Sequence, residues 1–156
     1  MNAYAVWKFL HVAAMFGAVS IFVGQGLLTG VVARSGDVPA LRRVLAAGDR
    51  FTPFGGGLFL LGIVFGFVTA IVGELDLTQA WLVIGYALAA LIIVTAVVYH
   101  APTDAKLKAA VANAPDDRPS EELRALADEP TGRFVNVVDG LAWLGIIFVM
   151  VTKPFA

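Results

Sequence analysis

Five side chains able to carry charge or bond strongly lie inside otherwise apolar stretches: Lys8, His11, Gln25, His100 and Asp139. In hydrocarbon each is costly unless it is paired, hydrated or close to an interface, so each is a candidate for a specific task. His11 invites the most chemistry. Its imidazole could ligate a metal or a haem iron, handle a proton, or hydrogen-bond between helices. Met15 follows one helical turn later, and Met150 falls in the same outer half by its place in the last apolar run. Imidazole plus thioether suits Cu(I), and one histidine with one methionine can bracket the iron of haem b. His11 and Met15 cannot both be axial ligands, because they share one side of one helix.

Depth sorts these residues. At 1.5 Å per residue, Lys8 lies ~7 Å and His11 ~12 Å below the outer end of the first helix, while Asp139 lies about 8 Å in from the other side. A lysine that shallow can snorkel outward, helped by Tyr4 and Trp7 as interfacial aromatics. The two histidines differ in depth by about 18 Å, too far to share one metal. His100, followed by Ala101-Pro102, reads as the end of its helix, where the dipole favours it. Asp139 needs a partner, and Gln25, Arg50, Arg133 and His100 are within reach by depth. It would then serve as a structural pair or as a proton- or substrate-binding acid.

The elements that position these groups are membrane spans. The 156 residues are 59% hydrophobic, only 15% charged, and have a mean hydropathy of +0.83. Four apolar runs, at 4–33, 54–73, 80–100 and 134–152, are long enough to cross hydrocarbon, which takes about 20 residues. The first lacks a basic leader and is too long for a signal peptide; as ~45 Å of helix it should tilt or project. With a net charge of −1 there is no basic stripe for nucleic acid. The absence of cysteine removes thiolate chemistry and disulfides, and no phosphate-cradling glycine loop is present.

The intervening segments set the orientation. Arg34, Arg42, Arg43 and Arg50 fall in 34–53, and Lys106, Lys108, Arg118, Arg124 and Arg133 in 101–133, whereas "ELDLTQ" has no basic residue. The positive-inside rule places both long loops in the cytoplasm and both termini outside, in a bacterial inner membrane. "DVPALRRVLAAGDRF" should be partly helical with an apolar face at Leu41, Val44 and Leu45, and "PSEELRALADEP" a short helix capped by Ser120. The mixed charges of the second loop read as a solvated face or as a docking surface for a soluble partner. Thr52-Pro53 has the form of a helix start.

The chain also repeats itself. "GDRFTPFGGGLFLLGIVF" and "TGRFVNVVDGLAWLGIIF" align without gaps: Arg50, Phe51, Gly57, Leu58, Leu61, Gly62, Ile63 and Phe65 recur as Arg133, Phe134, Gly140, Leu141, Leu144, Gly145, Ile146 and Phe148. "VVAR" and "VVYH" give a weaker echo at the ends of spans one and three. Two tandem hairpins of the same orientation follow, and an all-α four-transmembrane-helix bundle is expected. Asp139 stands where the first hairpin has Gly56. Gly26-x-x-x-Gly30 and Gly62-x-x-x-Gly66 should allow close helix approach.

"KFLHVAAMFGAVSIFVG" with "AGDRFTPFGGG" resembles an uncharacterised bacterial family of four-helix integral-membrane proteins carrying a domain-of-unknown-function label. The Lys-x-x-His opening is similar, more distantly, to copper-resistance D-type membrane domains and to the J-type protoporphyrinogen oxidase of haem synthesis. That resemblance implies a functional role for His11. The expected function is a non-catalytic membrane subunit or small ligand-binding module, associated with haem or copper near His11, Met15 and Met150. The alternatives are a haem-dependent oxidase of a porphyrin-like or quinone-like substrate, and a small transporter component using Asp139 with Arg50 and Arg133 at the cytoplasmic mouth. The lipid bilayer is the expected partner, with a homo-oligomer or larger membrane complex, and no nucleic acid.

Overall fold

The computed structural model describes residues 2–155, and they are all-α: no strand occurs among them. The elements are α1 (Ala3–Ser35), α2 (Val38–Val72), α3 (Ala80–Thr95), a π-helical turn (Ala96–His100), α4 (Ala101–Asn113), α5 (Glu121–Ala127) and α6 (Pro130–Thr152). Four stretches are long and apolar enough to cross a membrane: Ala3–Ser35, Val38–Val72, Ala80–Asn113 and Glu121–Thr152. Their outward faces carry Phe9, Phe16, Leu60, Ile71, Leu144 and Val151, each more than 60% exposed. In water such a surface would aggregate; in hydrocarbon it costs nothing. The chain is a multi-pass membrane protein.

Two compact units make up the chain, each a helical hairpin. Of the described residues, the first comprises 2–27 and 46–77; the second comprises 28–45 and 78–155. In the first, α1 and α2 meet through glycines. A Cβ added at Gly62 would lie 2.9 Å from the Met15 sulfur, one at Gly66 2.9 Å from the His11 ring, and one at Gly55 2.9 Å from Ile21. These glycines are therefore where the helices touch, as the spacing of Gly62 and Gly66 predicts. The other candidate pair does nothing of the kind within the chain. A Cβ at Gly26 would meet no atom within 4 Å, and one at Gly30 would meet only the Arg34 side chain of its own helix.

In the second unit α3 packs along α6. Gly145, the echo of Gly62, again marks the contact, with Leu88 3.0 Å from its added Cβ; Gly85 receives Met150. Met15 thus opposes Gly62 as Leu88 opposes Gly145. This register differs by two turns from the one that "VVAR" and "VVYH" would impose, so that weaker echo is coincidental. The repeat resides in the second helix of each hairpin.

Two boundaries and the packing of the loop segments differ from expectation for physical reasons. Pro53 starts no helix: it lies inside α2, which runs unbroken from Val38. Packing overrides the Thr-Pro signal because Leu41 and Leu45 are buried on one side of it and Gly55, Gly62 and Gly66 are held on the other. His100 ends no helix either, since α4 continues directly from it. The turn before Pro102 widens instead, with Ala101 N–H bonding to the carbonyl of Ala96. A regular α-turn would drive the proline ring into the Val98 carbonyl; the π-turn avoids this. The loop segments, finally, form a second core. Val38, Leu41, Leu45, Leu107, Ala110, Val111, Ala114 and Leu123 are buried together, with Val32 and Ala33 of the last turns of α1 packed on them. At 33 residues, or about 50 Å, α1 projects beyond a hydrocarbon layer and joins this core.

Arg42 ties that core together. Its guanidinium donates to the carbonyls of Val111 and Ala114 at the end of α4, and pairs with Asp116. The charges of the second loop are thus not wholly a solvated face. Ser120 caps α5 as expected, accepting from the Leu123 amide at 3.2 Å.

Candidate functional site

The embedded polar residues gather at two places, one in each unit. In the first, His11 Nδ1–H donates to the Gly62 carbonyl at 2.6 Å; a carbonyl can only accept, which fixes the proton on Nδ1. The same ring edge lies against Gly66. An imidazole held this way is a helix-to-helix clamp, possible because Gly66 carries no side chain to push it off. Lys8 is exposed, its ammonium 5.8 Å from the ring centroid of Tyr4, one turn nearer the start of α1. Trp7 stacks at a tilt on Phe65. This is the geometry of a lysine reaching outward along aromatic neighbours. Gln25 lies with its amide over Gly48.

The ring nitrogen of His11 that is not bonded to Gly62 and the Met15 thioether are the soft donors on this side of α1. Met15 is packed on Gly62, and Met150 belongs to the other unit, packed on Gly85. Among the described residues no group of three or more His, Cys, Asp or Glu could hold a metal ion.

The second unit holds the richer constellation. Asp139, in the third turn of α6, is 15% exposed at its side chain. Its Oδ2 accepts from His100 Nε2–H at 2.6 Å, and Thr95 Oγ lies 2.8 Å from its Oδ1. The Thr95 hydroxyl is also 3.0 Å from the Ile92 carbonyl. One hydroxyl has one proton, so Thr95 donates either to the carboxylate or to Ile92 while accepting from a protonated Asp139. Either protonation state of the acid is therefore satisfied without moving a side chain. Tyr99 stands edge-on to the His100 ring at 5.5 Å, and its own hydroxyl bonds to Glu129.

Backbone and sequence explain why these groups meet. Thr95 ends α3 and His100 ends the π-turn. Five residues of regular α-helix would carry His100 about 140° from Thr95; the wider turn brings both to Asp139. Of the residues within reach of Asp139 by depth, His100 is the partner found. Reading it as a free helix end is corrected because its helix does not end. Arg133 pairs instead with Asp128 at 3.2 Å, and Arg50 belongs to the first unit, where it is exposed. Sequence reasoning did not single out Thr95 or the π-turn. Pro102, inside a run that stays helical in composition, is the one signal that could have disclosed them.

The chain matches no protein-family model, no curated protein and no solved structure.

Proposed function

We propose that this protein is a non-catalytic subunit of the bacterial inner membrane that relays protons through His100 and Asp139, as a small transporter component. The observation that carries the reading is the carboxylate inside a span, bonded to an imidazole at 2.6 Å and to a hydroxyl able to serve it charged or neutral. Intramembrane acids of this kind, facing a partner on the next helix, are the parts from which proton relays are built. A π-turn at the same place adds weight, since such turns concentrate at working sites. In the relay, a proton arriving at His100 Nδ1 makes the imidazolium. The Nε2 proton then passes to Asp139 Oδ2, leaving neutral imidazole and neutral acid. The new Oδ2–H donates back to the bare Nε2, while Thr95 keeps its bond to Oδ1.

The basic residues of 34–53 and 101–133 support a cytoplasmic position for both segments and an outside position for both termini. The relay then lies toward the cytoplasmic ends of its spans. A path across the whole membrane would be completed by further copies of this chain.

The test is proton movement in vesicles. Purified protein is reconstituted with an entrapped pH dye, and a potassium gradient with valinomycin supplies the driving potential. Wild type should acidify the lumen, Asp139→Asn and His100→Gln should be slower by at least tenfold, and Asp128→Asn should match wild type. A wild type no faster than empty vesicles, or a folded Asp139→Asn that matches it, overturns the reading.

A further inference from the structure

A second polar feature lies in the same unit but shares no residue with the relay. Ala33, Arg34, Ser35 and Gly36 at the end of α1, with Pro119, Arg124, Ala127 and Asp128 around α5, enclose a cleft of about 410 Å³. That volume lies within the ~300–1,000 Å³ typical of small-molecule sites. From it we infer that the cleft binds a phosphate group, and that two arginines supply the recognition.

The charge balance comes first. Arg34 and Arg124 both line the cleft, and neither takes part in an ion pair among the described residues. Asp128 is the one acid in the lining, and Arg133 already neutralises it at 3.2 Å. The cleft is therefore lined by two arginines without an acidic partner, the Arg34 guanidinium lying back along α1 beside Gly30, around a space large enough for an anion. Guanidinium forks match phosphate oxygens in pairs, which a lone ammonium cannot do.

The walls are fixed rather than adaptable. Leu123 is 1% exposed in the core, which sets where its neighbour Arg124 emerges. Gly36 has φ +76°, a conformation that only glycine adopts without strain, and Pro119 packs on it. Asp37 caps α2 through the Ala40 amide at 2.8 Å, and the Ser35 hydroxyl is engaged by Val32 and Asp37. The turn is thus held by its own bonds, and an anion would add to them without replacing any.

Position supplies the class of ligand. Arg34 follows directly on the apolar run "GLLTGVVA", so the cleft opens where hydrocarbon gives way to head groups. Basic pockets at that level on the cytoplasmic side are where anionic phospholipid heads are held. The shared chemistry is a phosphate ester or ion.

Detergent-purified, delipidated protein would be titrated with short-chain phosphatidylglycerol, with the matching phosphatidylcholine, and with inorganic phosphate, and binding read by native mass spectrometry. One equivalent of phosphatidylglycerol should bind, with at least tenfold weaker binding in Arg34→Gln/Arg124→Gln. Lys153→Gln, at the opposite end of α6 from Asp128 in the same unit, should bind as wild type does, and circular dichroism should show every variant folded. Displacement of the lipid by millimolar inorganic phosphate would support the site with free phosphate as its source; resistance to displacement would support it with lipid as the source. Equal binding by the folded double variant, equal loss in Lys153→Gln, equally tight phosphatidylcholine binding that ignores the arginines, or no binding by any probe, would overturn the inference.

Discussion

His100 Nε2 and Asp139 Oδ2 lie 2.6 Å apart across α6 and the only π-wound turn among the described residues. The contact joins two residues that the apolar composition of their spans leaves without other charged partners. Its strength is measurable. In a double-mutant cycle of His100→Ala and Asp139→Ala, the coupling free energy should be about 1–3 kcal/mol, read from unfolding in mixed micelles. A coupling below about 0.3 kcal/mol would show that the two side chains are neighbours without being partners.

Arg42 should be the most sensitive residue outside the spans. Arg42→Ala removes the guanidinium from the Val111 and Ala114 carbonyls and from Asp116. A loss of about 2–3 kcal/mol is expected, that of a charged hydrogen-bonding group removed from a partly buried site. Amide exchange over 107–127 should quicken, and trypsin should cut sooner at Lys106 and Lys108. Arg43→Ala, its exposed neighbour, should change neither.

The glycines of the first hairpin should rank by contact, not by motif. Gly66→Val would push a branched side chain into the His11 ring and Gly62→Leu would do the same to Met15, each costing about 1–3 kcal/mol by overpacking. Gly26→Ala and Gly57→Ala meet open space and should be silent in the monomer. Thermal unfolding of the four variants in one detergent would decide the order; a reversed order would mean that α1 and α2 meet along other faces.

Topology can be read directly, because the natural chain has no cysteine. Glu74→Cys, in the short turn after α2, should react with a membrane-impermeant maleimide on intact cells. Asp117→Cys, exposed in the second long loop, should react only after permeabilisation. The opposite pattern would invert the orientation, and labelling of both from outside would refute a four-span arrangement.

Much of this architecture was written in the residues, and the failures share a cause. Four spans, two hairpins, the Ser120 cap, the close approach at Gly62 and Gly66 and a partner for Asp139 all follow from local composition and spacing. What escaped was set by packing between distant segments. Leu41 and Leu45 look like an amphipathic loop helix until Leu107, Val111 and Leu123 arrive to cover them. Pro53 and Pro102 look like punctuation until the surrounding helix is held from both sides. The partner of His11 is a backbone carbonyl, which no side-chain pattern reveals. Repeat detection succeeded on α2 and α6 and failed on α1 and α3, where only apolar bias was being matched.

The π-turn has an effect that reaches past the site it serves. A wider turn amounts to one extra residue threaded into a helix, and it shifts everything downstream by about 100° of rotation. Trp81, Leu82 and Ile92 face inward before it; Leu107, Ala110 and Val111 face a different core after it. The extra residue thus works as a phase shifter between the part of the chain that lies in lipid and the part that lies in water. Loss of a single residue from Ala96–His100 would leave both halves intact in sequence and rotate one out of step with the other.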